Sequence, residues 1–266
     1  MPRILITGSG GIIGGHVRQR LGSGSDPIDI VRFKGDLANL AETQAALDAA
    51  GPLDSVIHLG AMVPVNAVQA DPARAYDVNV GGTVHLLGAL AHSGQTPHVF
   101  YCSSGHVYAP QPTAISEDAA TEPVSLYGRT KWMAEFAAKD ICAAHDIPLC
   151  IGRVFSIHDP AQTGPYLRPN IAKRLAQENL SQPFELPGAD SIRDFLTAEQ
   201  AARIIVRLVL ARYIGVINIG SGQPTRIRDF VQSLAPGTLD IRHVGTQDCL
   251  LADTTRLAAF LEGQDA

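Results

Sequence analysis

The stretch Thr7-Gly8-Ser9-Gly10-Gly11-Ile12-Ile13-Gly14 decides the fold of this 266-residue chain. It follows an apolar run at residues 4–6 and precedes a helical spacing of apolar residues, so it marks a strand-to-helix turn. Its three spaced glycines permit a tight bend, let the backbone approach a phosphate, and let the helix pack closely on the strand. The first N–H groups of such a helix attract an anion. The residues predicted to touch a dinucleotide here are Gly8, Gly11, Ile13 and Gly14.

Strand-like apolar runs alternate with helical patterns through the first 155 residues. Strands are predicted at 3–7, 28–33, 55–59, 98–102 and 149–155, and helices near 12–21, 39–50, 72–92 and 125–145. The alternation indicates an α/β fold with a doubly wound parallel sheet (Rossmann), whose strands all end at one edge. After residue 155 prolines interrupt the pattern, with helices near 170–179 and 198–212, a strand at 216–219 and a helical stretch from 253. We predict a dinucleotide-binding domain over residues 1–155 and a small, partly interleaved substrate-binding lobe over 156–266.

Composition excludes several classes of function. Hydrophobic residues make up 45% and charged residues 18%, which argues against disorder. The net charge of -5, without a cluster of Lys and Arg, argues against nucleic acid as a partner. We see neither a signal-peptide pattern nor an apolar stretch near the ~20 residues of a membrane helix. The four cysteines lack CxxC spacing, which favours buried thiols, no metal site and a cytoplasmic location.

Tyr127 and Lys131 form the second chemical feature. Residues four apart on a helix share one face, and an ammonium beside a phenol is expected to lower the pKa of the tyrosine from about 10. This spacing alone is common on solvated helices, but here it follows a fourth strand. Ser104 ends that strand, where its hydroxyl would hydrogen-bond a substrate oxygen alongside the phenol. Ser103 is expected only to satisfy its own turn.

Seven motifs in order resemble the extended short-chain dehydrogenases/reductases of the NAD-dependent epimerase/dehydratase family, which act on nucleotide sugars. Residues 7–14 are similar to its TGxxGxxG, 36–37 to its adenine contact, 58–61 to H-L-A-A, 79–83 to N-V-x-G-T, 193–195 to R-D-F/Y, and 218–222 to N-x-G-x-G. Ser104, Tyr127 and Lys131 fall on its catalytic Ser, Tyr and Lys. The similarity covers nearly the whole chain.

The resemblance implies that NAD or NADP lies across the strand ends. Lys131 would hold the nicotinamide ribose, and Tyr127 would exchange a proton with a substrate oxygen oriented by Ser104 while hydride moves. Asn79 would support Lys131 through a carbonyl or a water, or make a polar contact inside its own helix. Further cofactor contacts are implied for Asp36, Leu37, Leu59, Gly60, Ala61 and Asn79. A homodimer through helices 72–92 and 125–145 is also implied.

The chain departs from the family pattern near the cofactor and the substrate. Arg32 stands near the end of the second strand, where an acid would favour NAD; an Arg there pairs with the 2′-phosphate of NADP, unless it is a plain surface charge. Gly105 and His106 replace the Asp-Glu pair of the dehydratases, which argues against dehydration. His106 would then either contact the substrate or act as a packing or hydrogen-bonding residue of the turn.

Two further positions concern the substrate. Ser156 replaces an Asn that often contacts it. Arg193 and Arg242 are candidates for binding a substrate diphosphate, with a surface charge as the alternative for each.

The favoured function is an NAD(P)-dependent oxidoreductase acting on a nucleotide-linked sugar, most simply a 4-ketoreductase. A 4-epimerase would use the same catalytic residues with retained NAD, but Arg32 and the short lobe favour the reductase and, slightly, NADP. A dehydrogenase of a free sugar or another small carbonyl compound stays open, because fold alone does not fix the substrate. A protein that binds NAD(P) without chemistry would not need the catalytic set.

Overall fold

The computed structural model describes residues 1–24 and 26–265. The strands, in chain order, are β1 (Arg3–Thr7), β2 (Asp29–Arg32), β3 (Ser55–His58), β4 (His98–Ser104), β5 (Leu149–Val154), β6 (Ser156–His158), β7 (Phe184–Pro187), β8 (Ile192–Thr197), β9 (Gly215–Ile219), β10 (Pro224–Arg226), β11 (Ile241–Val244) and β12 (Cys249–Leu250). The α-helices are α1 (Ile12–Gly22), α2 (Leu40–Ala50), α3 (Val65–Ala70), α4 (Pro72–Tyr76), α5 (Gly82–His92), α6 (Leu126–Ala144), α7 (Leu167–Gln177), α8 (Ala198–Leu210), α9 (Ile227–Leu234) and α10 (Thr255–Asp265).

The main sheet has six parallel strands in the order β2-β1-β3-β4-β5-β9. This confirms the predicted doubly wound sheet. The chain leaves β1 toward β2 on one side and then returns to place β3 on the other side. The strand order therefore reverses beside β1, and a crevice opens there at the carboxyl ends of the strands.

Helices cover both faces of the sheet because its strands are apolar on both sides. On one face the core includes Val17 of α1 and Ile205 of α8, which pack on Ile6 of β1. On the other face Leu86 of α5 and Ala138 of α6 pack on the same sheet. The helix that carries the Tyr-Lys pair is thus held directly against the strands that end at the crevice.

The second half of the chain contributes to the main sheet and also forms a small separate lobe. In the lobe, β7 pairs with β11, and α7 and α9 contribute Ile171 and Val231 to a separate apolar core. A second small sheet runs β10-β8-β12, with β6 also paired to β8. By contrast, β9 completes the main sheet and α8 packs beside α1. Residues 156–266 therefore contribute both to the lobe and to the main sheet with its helices.

Two local features differ from the predicted elements. The predicted helix at 72–92 is divided into α4, a π-helical turn at Asp77–Gly81, and α5. Strands β6–β8 and β10–β12 and helices α3 and α9 were not predicted; these strands are only two to six residues long and are held by pairing with one another. Over the described residues, no helix combines the length and apolarity that crossing a bilayer requires.

Candidate active site

The glycine-rich turn between β1 and α1 has no room for a side chain at Gly8 or Gly14. Gly8 has φ +63°, and a Cβ on it would lie 2.7 Å from the Gly60 nitrogen. A Cβ on Gly14 would lie 2.4 Å from the Gly8 carbonyl oxygen, so α1 packs directly on the turn. Helix α1 begins at Gly11 without a side-chain cap and without an acidic residue in its first turn. Its first N–H groups therefore fit the pyrophosphate of a dinucleotide.

His58 fastens the ends of β1 and β3 beside that turn. Its Nδ1 lies 2.7 Å from Thr7 Oγ1 and its Nε2 lies 3.1 Å from Thr83 Oγ1. Because the Thr83 hydroxyl donates to the Asn79 carbonyl, Nε2 carries the proton in the arrangement we assign. Burial, reinforced by the positive charge of Lys131, lowers the pKa of His58 to about 3. The imidazole is therefore a neutral structural link at neutral pH.

Asn79 is buried in the π-helical turn and joins two other segments. Its Oδ1 accepts from the Met62 nitrogen at 2.7 Å, and its Nδ2 donates to the Met62 oxygen at 3.0 Å. Nδ2 also lies 2.9 Å from Thr130 Oγ1, one residue before Lys131. The side-chain hydrogen bonds of Asn79 thus run to Met62 and to Thr130, the residue before Lys131 on α6.

Ser104, Tyr127 and Lys131 come together in one cavity of about 650 Å³. All three are buried, with 5%, 7% and 3% of their surfaces exposed. Ser104 Oγ accepts from the His106 nitrogen at 3.2 Å, and the Ser104 hydroxyl is close enough to the Tyr127 phenol to lower the pKa of that phenol. Other predicted cofactor residues that line this cavity are Gly8, Gly11, Ile13, Gly14, Leu59 and Ala61. The predicted phosphate cradle and the predicted acid–base group therefore face the same space.

The expected lowering of the Tyr127 pKa is not found. Burial raises the pKa of Tyr127 above its ordinary value, Cys102 raises it further, and only the hydrogen bond from Ser104 lowers it. Lys131 lies with Nζ 4.4 Å from the centre of the Tyr101 ring, and burial lowers the pKa of Lys131 to about 8. Desolvation thus dominates the pKa shift of each group, and Tyr127 is protonated at neutral pH.

The residues predicted to bind substrate that line this cavity are His106, Ser156 and Arg193. The His106 ring meets the Tyr127 ring edge-on at 5.8 Å, and burial followed by the nearby Arg193 lowers the pKa of His106. His106 is therefore neutral at neutral pH. Arg193 Nη1 lies 2.7 Å from Asp248 Oδ1, so the cation is held at the cavity wall by an ion pair. These three residues line the same cavity as Ser104, Tyr127 and Lys131.

The remaining predicted residues lie outside that cavity. Arg32 is exposed at the end of β2, with Nε 3.3 Å from Ser9 Oγ in the glycine-rich turn. Asp36 pairs with Arg74 at 2.7 Å, and that pairing lowers the pKa of Asp36. Arg242 is on β11 with 63% of its side chain exposed, beside Asp240. The structure thus places Arg242 away from the catalytic residues.

Leu37 and Gly60 are not among the residues that line the cavity, and they pack against each other. Leu37 is 8% exposed. A Cβ added to Gly60 would lie 2.5 Å from Leu37 Cδ1, so the two residues are in close contact and leave no space for a larger side chain.

A buried ion pair supports the strand and helix that carry Ser104 and Tyr127, and no motif in the sequence indicated it. Glu135 accepts from Arg153 Nε at 3.0 Å and Nη2 at 2.7 Å, and also from the Ser103 hydroxyl. Arg153 Nη1 donates to Tyr108 at 2.7 Å. Glu135 is one turn after Lys131 on α6, while Ser103 precedes the catalytic serine. Ser103 therefore does more than satisfy its own turn, because it links β4 to α6.

Asp194, beside Arg193, is a second buried carboxylate. It is fully buried and accepts from the nitrogens of Ser221, Gly222 and Ala252 at 2.6, 2.9 and 3.3 Å. It thus fixes the loop after β9 against β8, which carries Arg193. The motif at residues 193–195 could have suggested this arrangement, because neighbouring residues of a strand point to opposite faces. Arg193 lines the cavity, whereas Asp194 is buried and structural.

The sequence profile described as the NAD dependent epimerase/dehydratase family matches residues 4–220, most of the chain. The chain belongs to this family. It is accordingly an NAD(P)-dependent enzyme of the extended short-chain dehydrogenase type, with a glycine-rich turn and helix start that fit the cofactor.

Individual relatives in the family have different activities. The chain is 28% identical to UDP-glucose 4-epimerase of Azospirillum brasilense, over 96% of this chain and 85% of that protein. It is 29% identical to GDP-6-deoxy-D-mannose reductase of Pseudomonas aeruginosa, over 88% and 79%. The structure of RMD from P. aeruginosa complexed with NADPH superimposes with a TM-score of 0.86 at 25% identity, covering 97% and 92%. Epimerases and reductases are thus similarly related to this chain.

Proposed function

We propose that this protein is an NAD(P)-dependent 4-ketoreductase that acts on a nucleotide-linked sugar. The observation that carries the proposal is the placement of Ser104, Tyr127 and Lys131 in one cavity with the glycine-rich turn. Arg193, at the other wall of that cavity, supplies a cation suited to a substrate phosphate. The relative named GDP-6-deoxy-D-mannose reductase supports a reductase of this kind.

The protonation of Tyr127 supports the direction of reaction. When bound, the nicotinamide supplies the hydride. A phenol whose pKa is raised by burial holds its proton at neutral pH, so Tyr127 gives that proton to the substrate oxygen as the ketone becomes an alcohol. Ser104 hydrogen-bonds the same oxygen and orients it, and Lys131 stabilises the tyrosinate left behind.

Arg32 supports NADP as the preferred cofactor. It stands at the end of β2, within reach of Ser9 in the turn that would hold the adenosine side of the dinucleotide. No acidic residue follows it at the end of β2, where Phe33 and Lys34 come next. A guanidinium in this position pairs with a 2′-phosphate, whereas NAD would offer it only hydroxyls.

The test is a panel of nucleotide-linked 4-ketosugars with NADPH, monitored by loss of absorbance of the reduced nicotinamide and by the stereochemistry of the product. Wild-type protein is expected to reduce at least one member. Tyr127→Phe should lose about 10²- to 10⁴-fold in turnover while its dissociation constant for NADPH stays within about twofold. Full activity of Tyr127→Phe would refute the acid role of the phenol.

A 4-epimerase is the second candidate, favoured by the relatives named UDP-glucose 4-epimerase. An epimerase keeps its cofactor through turnover, so purified protein would carry bound NAD and would interconvert sugar epimers without consuming added NADPH. Freely exchanging cofactor with net consumption of NADPH supports the reductase instead. The two results distinguish the candidates with one preparation.

We also propose a homodimer in which α5 and α6 form the interface. Val84 on α5 is 38% exposed, and Met133 and Phe136 on α6 are 42% and 49% exposed. Large apolar side chains on neighbouring helices suit an isologous contact. Sedimentation should show a dimer, and Phe136→Glu should shift it to monomer if this face is the interface.

A further inference from the structure

Residues 159–166 form a segment, here called the strap, that leads from β6 to α7. Its first residue, Asp159, is 6% exposed and places Oδ2 2.9 Å from His16 Nε2 on α1. Asp159 Oδ1 accepts from the Ala161 nitrogen at 2.8 Å. The strap therefore belongs to the substrate side of the chain but is fastened beside the first turns of α1.

Two cavities meet at the strap. One is the catalytic cavity, and the other, of about 590 Å³, lies over the start of α1. Gly11 and Ile12 line both cavities from the helix, and Gln162 and Tyr166 line both from the strap. Gln162 thus stands opposite the helix start that fits a pyrophosphate.

The side-chain amide of Gln162 has a buried polar atom that lacks a hydrogen bond. Its Oε1 is buried and has no hydrogen-bond partner among residues 1–24 and 26–265. Buried polar atoms are nearly always paired, so an unpaired one beside a ligand cavity indicates a group that finds its partner in the ligand. Rotation about the last side-chain bond exchanges the amide oxygen and the NH₂ at little energetic expense, and the NH₂ is the donor that a phosphate oxygen needs.

We infer that Gln162 is a further cofactor-binding residue, which donates its amide N–H to a pyrophosphate oxygen of the dinucleotide from the side opposite α1. The pyrophosphate is then held between backbone N–H groups of the glycine-rich turn and a side chain of the strap. This contact belongs to cofactor binding itself, so it holds for a reductase and an epimerase alike.

The first test compares Gln162→Ala with wild type by titration calorimetry, using NADPH and ADP-ribose, which keeps the pyrophosphate but lacks nicotinamide. Both ligands should bind about tenfold more weakly to the variant, as expected for loss of a hydrogen bond to a charged group. The melting temperature of the ligand-free variant should stay unchanged or rise, because the amide oxygen has no partner to lose. Gln19→Ala is the matched control, because Gln19 is exposed and lines only the cavity of about 590 Å³ over the start of α1. This variant should bind NADPH and ADP-ribose as tightly as wild type.

Gln162→Glu decides whether the side chain donates or accepts. A carboxylate facing a pyrophosphate is repelled, so this variant should bind both ligands more weakly than Gln162→Ala, with a deficit that shrinks as salt rises. Binding as tight as wild type would mean that the residue accepts from a hydroxyl, and would overturn the inference. Unchanged affinity of Gln162→Ala, or a weakening seen with NADPH but absent with ADP-ribose, would overturn it as well.

Discussion

Replacing Lys131 by methionine is expected to stabilise the ligand-free protein while removing activity. Burial moves the pKa of Lys131 from 10.5 to about 8, a difference that corresponds to about 3 kcal/mol of destabilisation by the buried ammonium. Methionine has a similar length and no charge. The variant loses the contact between the ammonium and the Tyr101 ring, worth about 0.5 to 2 kcal/mol. The net gain is about 1 to 3 kcal/mol, or roughly 3–10 °C in melting temperature for a chain of this size.

The pH dependence of the stability difference between wild type and Lys131→Met shows whether the buried ammonium causes that difference. Below pH 8 the ammonium is protonated in both the folded and the unfolded protein, so the destabilisation is fully present. Between about 8 and 10.5 the folded protein loses this proton while the unfolded chain keeps it. Wild type therefore gains stability relative to the variant as pH rises through this window, and the gap between them closes. Comparing the two proteins removes the contributions of every titrating group that they share.

The assay is thermal denaturation of both proteins without ligand at pH 6.5 to 10. Lys139→Met is the control, because Lys139 lies two turns further along α6 with 44% of its side chain exposed. It should change stability by less than about 0.5 kcal/mol at every pH. The reasoning fails if Lys131→Met melts at or below wild type at pH 7, or if its advantage stays the same up to pH 10.

Three other changes have defined outcomes. Glu135→Gln leaves the buried Arg153 without its counter-charge and should cost about 3–5 kcal/mol, seen as an early thermal transition; a melting temperature within 2 °C of wild type would contradict the role of the pair. Gly14→Ala places a Cβ 2.4 Å from a backbone oxygen and should abolish calorimetric NADPH binding or folding, whereas Gly15→Ala, with open space around its Cβ, should stabilise α1 by about 0.5–1 kcal/mol in chemical denaturation. Arg32→Ala should weaken NADPH binding about tenfold and leave NADH unchanged; equal effects on both cofactors would mean that Arg32 does not meet the 2′-phosphate.

The parts of the site that sequence could predict are those set by local geometry. The spacing of Gly8, Gly11 and Gly14 already specifies a tight strand-to-helix turn, because a Cβ at the first or last of them would meet backbone atoms within the turn itself or beside it. A tyrosine and a lysine four residues apart must share a helix face, whatever the rest of the chain does. Strands and helices of ordinary length can also be predicted from the spacing of apolar residues along the sequence.

The protonation and the fixed positions of these groups depend on how distant segments pack. The pKa of Tyr127 rises because the fold removes water from the phenol, and no spacing between two residues records that. The Glu135–Arg153 pair and the strap's hold on α1 through His16 join positions 18 and 143 residues apart. Such contacts depend on where distant segments are packed together, so the sequence alone determined which groups would carry the chemistry, and the packed chain determined their surroundings and protonation.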